Sequence, residues 1–401
     1  MEKVLEQQYQ YYKNLNLNIN MARGRPCPAQ LDLSLPMFDL ITSSSNLVID
    51  GVDYRNYGVL DGIKPAKKMF SDILDIKEEN ILIYGNSSLN LMHDLIYKSV
   101  VNGVMNNTPW SKLDKIKFLC PVPGYDRHFA ICELLNIEMV NISINEDGPD
   151  MDLIEQYIKD PTVKGIWCIP KYSNPTGTTY SDEVVKRFAR LKPASKDFRI
   201  YWDTTYITQV SFSNQEDHLL NIFDECQKCH NEDLVYIIGS TSKMSFPGSG
   251  VSALGASIKN IEDMKQYLQY QTIGFDKINQ LRHALFFKDK KTIKEHMKKH
   301  MEIMKPKFDL MLKIFDEEIK DLAIYNHPSG GYFISLFVPH KAKEVVNICC
   351  ELGVTLTDVG SAYPYHHDPE NSHIRIAPTY PDLKELEIAA HVISLAVKMV
   401  A

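Results

Sequence analysis

In the middle of the chain, short runs of apolar and β-branched residues alternate with longer stretches in which apolar positions recur every three or four residues. The runs fall at 80–84, 115–120, 165–170, 198–202 and 234–239. A further candidate lies at 251–258, where Gly255 marks a bulge or a close backbone approach. A strand that is apolar on both faces must be covered on both. The intervening helical periodicity supplies that cover, so the pattern predicts a mostly parallel sheet with helices on either side. From Thr292 onward the rhythm changes. Ile293, Met297, Met301, Met304, Phe308 and Leu312 recur at helical spacing and describe a helix long enough to bridge two domains, its Met and Phe stripe being core packing. Beyond it, strands at 332–338 and 373–377 and helices at 341–352 and 383–400 make an α+β pattern. No linker, low-complexity tract or internal repeat separates these regions, so the expected domains are interleaved. They are a large α/β domain over 47–300 and a smaller α+β domain made of 1–46 plus 301–401.

Composition acts mainly by exclusion. A chain of 401 residues with 44% hydrophobic and 24% charged content suits a globular core. The net charge of −7 carries no basic stripe, so no nucleic-acid partner is expected. No apolar run is long enough for a membrane span, and the polar first ten residues lack the apolar centre of an export signal, which predicts a cytoplasmic protein with no membrane partner. Eight cysteines are too few for a disulfide scaffold and read as thiols. Cys226, Cys229 and His230 have the spacing of a covalent haem site, which in a polar, helical stretch reads as coincidence. His296 and His300 stand one helical turn apart without an evident third ligand, and read as surface or packing residues rather than a metal pair.

Candidate chemistry collects just after the predicted strands, where open parallel sheets bind their ligands. The first run leads into Gly85-Asn86-Ser87-Ser88 and an apolar helix, an arrangement that serves as a phosphate cradle or as a plain serine cap. The run at 198–202 is followed by Asp203 and Tyr206. The run at 234–239 is followed by Ser240-Thr241-Ser242-Lys243, and that at 165–170 by Asn174-Pro175-Thr176-Gly177. Alone, such a carboxylate is often a helix cap and such a lysine is usually solvated. The two in this order carry more information.

Together these residues resemble the fold-type-I pyridoxal-phosphate-dependent aminotransferases, and the order of motifs agrees along nearly the whole chain. The resemblance implies that Lys243 holds pyridoxal 5′-phosphate as a Schiff base and that Asp203 holds the pyridine nitrogen. Asn174 and Tyr206 then share the phenolic oxygen, and Tyr125 of Pro123-Gly124-Tyr125 stacks on the ring. Tyr57 would reach the phosphate of the neighbouring subunit in a homodimer, and Arg375 of Ile374-Arg375-Ile376-Ala377 would grip the substrate α-carboxylate. The chemistry demands such a set. An α-proton is too weakly acidic for an unaided side chain, the cofactor spreads the resulting charge, and a carboxylate keeps its ring nitrogen protonated.

The segments 22–34, 123–129 and 368–378 resemble the type Ic aspartate aminotransferases, which puts the amino-terminal segment, with Gly24, beside the substrate. One position departs from many relatives. Val251 stands where they carry a phosphate-binding arginine, so the phosphate is expected to rest on Ser87, Ser88, Ser240, Ser242 and backbone amides. Arg23, Arg25 and Arg127 are the candidates for a second, distal carboxylate. The expected reaction is aspartate plus 2-oxoglutarate to oxaloacetate plus glutamate by a ping-pong route. An aminotransferase for aromatic or other amino acids, or a pyridoxal-phosphate lyase, would use the same lysine, aspartate and asparagine. An aminotransferase-like transcription regulator would need a DNA-binding module ahead of position 22, where the sequence leaves no room for one.

Overall fold

The computed structural model describes residues 2–213 and 215–401. Its centre is an eight-stranded sheet with the order Ile81–Ile83, Ser252–Gly255, Val235–Ser240, Arg199–Asp203, Val163–Cys168, Lys117–Val122, Glu138–Asn145 and Gly148–Pro149. The four contacts from Val235–Ser240 across to Glu138–Asn145 are parallel. Ser252–Gly255 runs antiparallel to both of its neighbours, and Gly148–Pro149 closes the far edge antiparallel.

Alternation along each strand divides the core into two layers. Ile83, Leu119, Ile166, Ile200, Trp202 and Ile237 pack on one face. Leu82, Phe118, Cys120, Trp167, Tyr201, Tyr236 and Ile238 pack on the other. Every central strand is buried at all or nearly all positions, which is why continuous apolar runs were the signal. Glu138–Asn145 is the exception. It alternates buried and exposed residues near the sheet edge, and no apolar run announced it. Gly255 pairs regularly with Ile237, so there is no bulge; a Cβ there would meet Ile76 Cδ1 at 2.5 Å, so the close approach is real.

The long helix runs Lys290–Glu318. Ile293, Met297, Met304 and Phe308 are buried on it, and Met311, Ile314 and Phe315 continue the stripe where Leu312 was expected, because a 3.6-residue period drifts off any fixed four-residue step. After it, Ile324–Tyr325, Ile334–Phe337 and His373–Ile376 form an antiparallel three-stranded sheet under Ala342–Glu351 and Leu383–Val400. The amino-terminal chain joins this region. Ile19–Asn20 pairs in parallel with Val354–Thr355, and Met21 accepts from the Ala377 amide at 3.1 Å. That threading carries residues 22–28 over the strand tips of the large sheet.

All eight cysteines are free, Cys226 is fully buried on Ile222–Lys228, and among the described residues no helix is long and apolar enough to cross a membrane.

Candidate active site

A cavity of about 420 Å³ opens between the strand tips and the overlying segment. It is lined by Lys243, Asp203, Asn174, Tyr206, Tyr125, Ser87, Ser88, Ser240, Ser242 and Arg375, together with Arg23, Gly24, Arg25 and Arg127. Of the cofactor- and substrate-binding residues that the resemblance implies, Tyr57 alone lies elsewhere. It is 82% exposed and outside the cavity of its own chain.

Asp203 ends the strand Arg199–Asp203 and is 2% exposed. Its Oδ1 accepts from the Thr205 amide at 3.0 Å and from the Thr205 hydroxyl at 2.6 Å. Its Oδ2 lies 3.3 Å from His128 Nε2, which is not aligned for a hydrogen bond and has no other partner among the described residues. The His128 ring is stacked on Trp167 with centroids 4.4 Å apart. One carboxylate oxygen is thus pinned while the other sits beside a buried imidazole at the cavity wall. Neither Thr205 nor His128 stood out in the sequence. Their significance comes from where Asp203 lands.

Lys243 follows the neighbouring strand Val235–Ser240. Its Nζ donates to the Gly24 carbonyl at 2.6 Å and lies 4.6 Å from the centre of the Tyr332 ring. Burial among these groups lowers its pKa from 10.5 to about 8. Gly24 is needed for this approach, because a Cβ there would come within 2.6 Å of Phe333 Cζ. Asn174 Oδ1 and Ser240 Oγ are buried at the same cavity with no hydrogen-bond partner among the described residues. Desolvation, with Tyr125, Tyr332 and Asp203 nearby, pushes the Tyr206 hydroxyl well above its ordinary pKa, and desolvation with Asp126 and Asp203 pushes Tyr125 up to about 12. Both phenols therefore remain protonated donors at neutral pH.

The serine side is simpler. Ser87 caps the helix Ser88–Asn102, accepting from the Asn90 amide at 3.3 Å and donating to the Asn90 side chain at 2.9 Å. Its hydroxyl is already committed to Asn90, and Ser88 and Leu89, which open that helix and whose amides have no partner within it, line the cavity beside it. Val251 is buried in the core, and its amide donates to Thr241 Oγ1 at 3.0 Å.

Arg375 comes from the opposite wall. On His373–Ile376, Ile374 and Ile376 enter the small-domain core, so Arg375 takes the other face. Its Nη1 donates to Asp126 Oδ1 at 3.0 Å and its Nε to Thr357 Oγ1 at 3.4 Å. Arg23 Nη1 donates to the other oxygen of Asp126 at 2.7 Å. Burial pushes the Asp126 pKa up, but the two guanidiniums, Arg375 foremost, hold it below the ordinary carboxylate value. Arg25 is turned over the Tyr380 ring at 4.4 Å, and Arg127 is exposed with no ion pair among the described residues.

His296 and His300 are both buried. His296 Nε2 donates to the Met244 carbonyl at 2.7 Å and lies 3.0 Å from His300 Nε2. Gln30 Nε2 reaches both His300 Nδ1 at 3.2 Å and Tyr332 Oη at 3.1 Å. A buried polar chain therefore runs behind the lysine from Met244 to the ring that Nζ faces.

The model of the aspartate aminotransferase family matches residues 1–401. This chain belongs to that family and is a transaminase. An aspartate aminotransferase of Corynebacterium glutamicum is 38% identical over 376 residues, covering 93% of this chain and 87% of that protein. The crystal structure of an aspartate transaminase from the same organism superposes with a TM-score of 0.95 at 37% identity, covering 100% of this chain and 96% of the other. An α-aminoadipate aminotransferase of Thermus thermophilus, complexed with N-(5′-phosphopyridoxyl)-L-leucine, shares the fold alone, with a TM-score of 0.76 at 19% identity over 96% of this chain and 92% of the other. Such transaminases of fold type I act on amino and 2-oxo acids and use pyridoxal phosphate. The groups around the cavity fit that cofactor: an amine of lowered pKa, a buried carboxylate, two protonated phenols, the Asn174 amide and a buried Ser240 hydroxyl with no partner among the described residues.

Proposed function

We propose that this transaminase moves the amino group of aspartate to 2-oxoglutarate, giving oxaloacetate and glutamate in two half-reactions of a ping-pong cycle. One observation supports it above the rest: Lys243 and Asp203, on neighbouring strand tips, face one cavity whose opposite wall carries Arg375 and Arg23.

Bound pyridoxal phosphate supplies an electron sink for the α-carbon. Lys243 Nζ, uncharged in a good fraction of molecules near pH 8, serves as nucleophile and then carries the α-proton. Asp203 Oδ2 keeps a proton on the ring nitrogen, with Thr205 holding the carboxylate in place. Asn174 and Tyr206 donate to the phenolic oxygen, and Tyr125 covers one ring face. Ser88, Ser240, Ser242 and the amides that open Ser88–Asn102 hold the phosphate, with Ser87 as the cap of that helix. Arg375 takes the α-carboxylate. Among the three candidates for the distal carboxylate, Arg23 is favoured, because it shares Asp126 with Arg375 while Arg25 packs on Tyr380. The exposed Tyr57 belongs to the neighbouring subunit's phosphate site in a homodimer, with 47–300 as the cofactor domain and 1–46 plus 301–401 as the small domain. A cytoplasmic location completes this reading.

The test is oxaloacetate formation by the cofactor-loaded enzyme given aspartate and 2-oxoglutarate, followed by coupled reduction with malate dehydrogenase, beside a panel of aromatic, branched and small donors. Aspartate is expected to have the highest kcat/KM. A higher value for an aromatic donor would discard the dicarboxylate assignment.

A further inference from the structure

One turn of helix touches three parts of the cavity. Tyr125, the cap of Asp126–Leu134, presents its ring, His128 stands beside Asp203, and Asp126 lies between two arginines. The carboxylate is 9% exposed and carries both guanidiniums, one on each oxygen. Arg375 is buried more deeply still and reaches Asp126 from the small-domain sheet. Arg23 is half exposed and reaches it from the amino-terminal segment. Each arginine uses only Nη1 on Asp126, and neither Nη2 has a protein partner among the described residues. Both arginines line the cavity, and each guanidinium keeps donors beyond those spent on Asp126.

We infer that Asp126 is a specificity-positioning residue: it fixes the spacing between Arg375 and Arg23, so that one subunit holds both ends of a dicarboxylate. The inference rests on the proposed assignment of the α-carboxylate to Arg375 and the distal carboxylate to Arg23. An exposed arginine has many rotamers, and a substrate must order it at an entropic cost. Pairing with a rigid, ionised carboxylate settles that order before substrate arrives. Asp126 also offsets one of two like charges, so the pair of guanidiniums does not spread apart. Position at the first residue of a helix favours its charged form. A monocarboxylate donor uses only Arg375 and gains little from the spacing.

The experiment compares cofactor-loaded wild type with Asp126→Ala, Asp126→Asn and Arg23→Met, using aspartate and 2-aminobutyrate as donors. In a ping-pong cycle kcat/KM for a donor reports its own half-reaction, so the ratio of the two values isolates recognition of the distal carboxylate. Asp126→Ala is expected to lower the aspartate-to-2-aminobutyrate ratio at least tenfold, mainly through the KM for aspartate, and Asp126→Asn to give an intermediate loss because one amide oxygen accepts from one arginine at a time. A general structural defect would lower both donors together and leave the ratio in place. If Arg23→Met collapses the ratio while both Asp126 variants stay within threefold of wild type, the positioning role is overturned and the Arg23 assignment stands. If Arg23→Met leaves the ratio unchanged, the Arg23 assignment itself fails and takes the inference with it. Should Asp126→Ala not fold, the near-isosteric Asp126→Asn decides.

Discussion

The two walls of the cavity are built by different means. On the large-sheet wall the groups follow from strand tips, and Asp203 is held by Thr205 two residues on. On the opposite wall, nothing is local. Arg375 bonds Asp126 across 249 positions, Thr357 bonds the Ala22 carbonyl across 335, and Gln30 bonds Tyr332 across 302. The first wall is as rigid as the sheet that ends in it. The second is a mosaic of the amino terminus, the long helix and the small sheet, and its geometry depends on all three being docked. The division suits a transaminase, which needs fixed chemistry on one side and a substrate-specific surface on the other.

The sharpest way to break this comparison is at the fixed wall. Lys243→Ala is expected to lower transamination by about 10⁴-fold, the upper range for a general acid–base group, measured with the coupled oxaloacetate assay. Activity within tenfold of wild type would remove the lysine from the mechanism. The same amine gives a second readout in cofactor-free protein. With its pKa lowered to about 8, it should acylate with a midpoint near that pH, where an ordinary lysine would wait until about 10.5.

Asp203→Ala comes next, with an expected loss of about 10²–10³ in kcat, the scale of removing one preorganised electrostatic partner. Thr205→Val, which leaves the carboxylate and the backbone amide on Oδ1 but removes the hydroxyl, should cost about fivefold, roughly one hydrogen bond. Equal losses in the two variants would mean that orientation, rather than charge, is what Asp203 contributes.

The mosaic wall is tested through stability. His300→Ala removes the bridge between Gln30 and His296 in a buried chain, and should lower unfolding free energy by about 2–4 kcal/mol in a denaturant titration. Burial and the neighbouring His296 depress the His300 pKa to about 3. In the unfolded chain it takes a proton near its ordinary value of 6.5, so between about pH 6.5 and 3 the unfolded state binds more protons and stability falls as pH falls. The variant should lose less stability than wild type between pH 7 and 4. An identical acid slope would show that His300 is not a buried neutral base.

Much of the fixed wall was legible in advance because its signals are local. Buried parallel strands are continuous apolar runs, their tips are where ligands bind, and Asp203, Asn174 and Lys243 each stand a few residues beyond such a run. The edge strand Glu138–Asn145 escaped for the same reason, since only two of its eight residues are fully buried. His296 and His300 were visible as a pair, but whether they faced solvent or core depended on Gln30, a residue 270 positions from His300.

The sequence by itself determined the layered sheet and the order of strand-tip groups, since period and spacing along one strand or helix are enough to place a side chain on a face, and the resemblance of its motifs pointed to the family. Tertiary structure alone decided that Asp126 joins Arg375 to Arg23, that His128 stands beside Asp203, that Gly24 lets its carbonyl reach Lys243 and that Tyr57 points away from its own site. These are contacts between segments whose separation carries no periodic signal. They exist because independent elements, each folded for its own burial, were packed against one another.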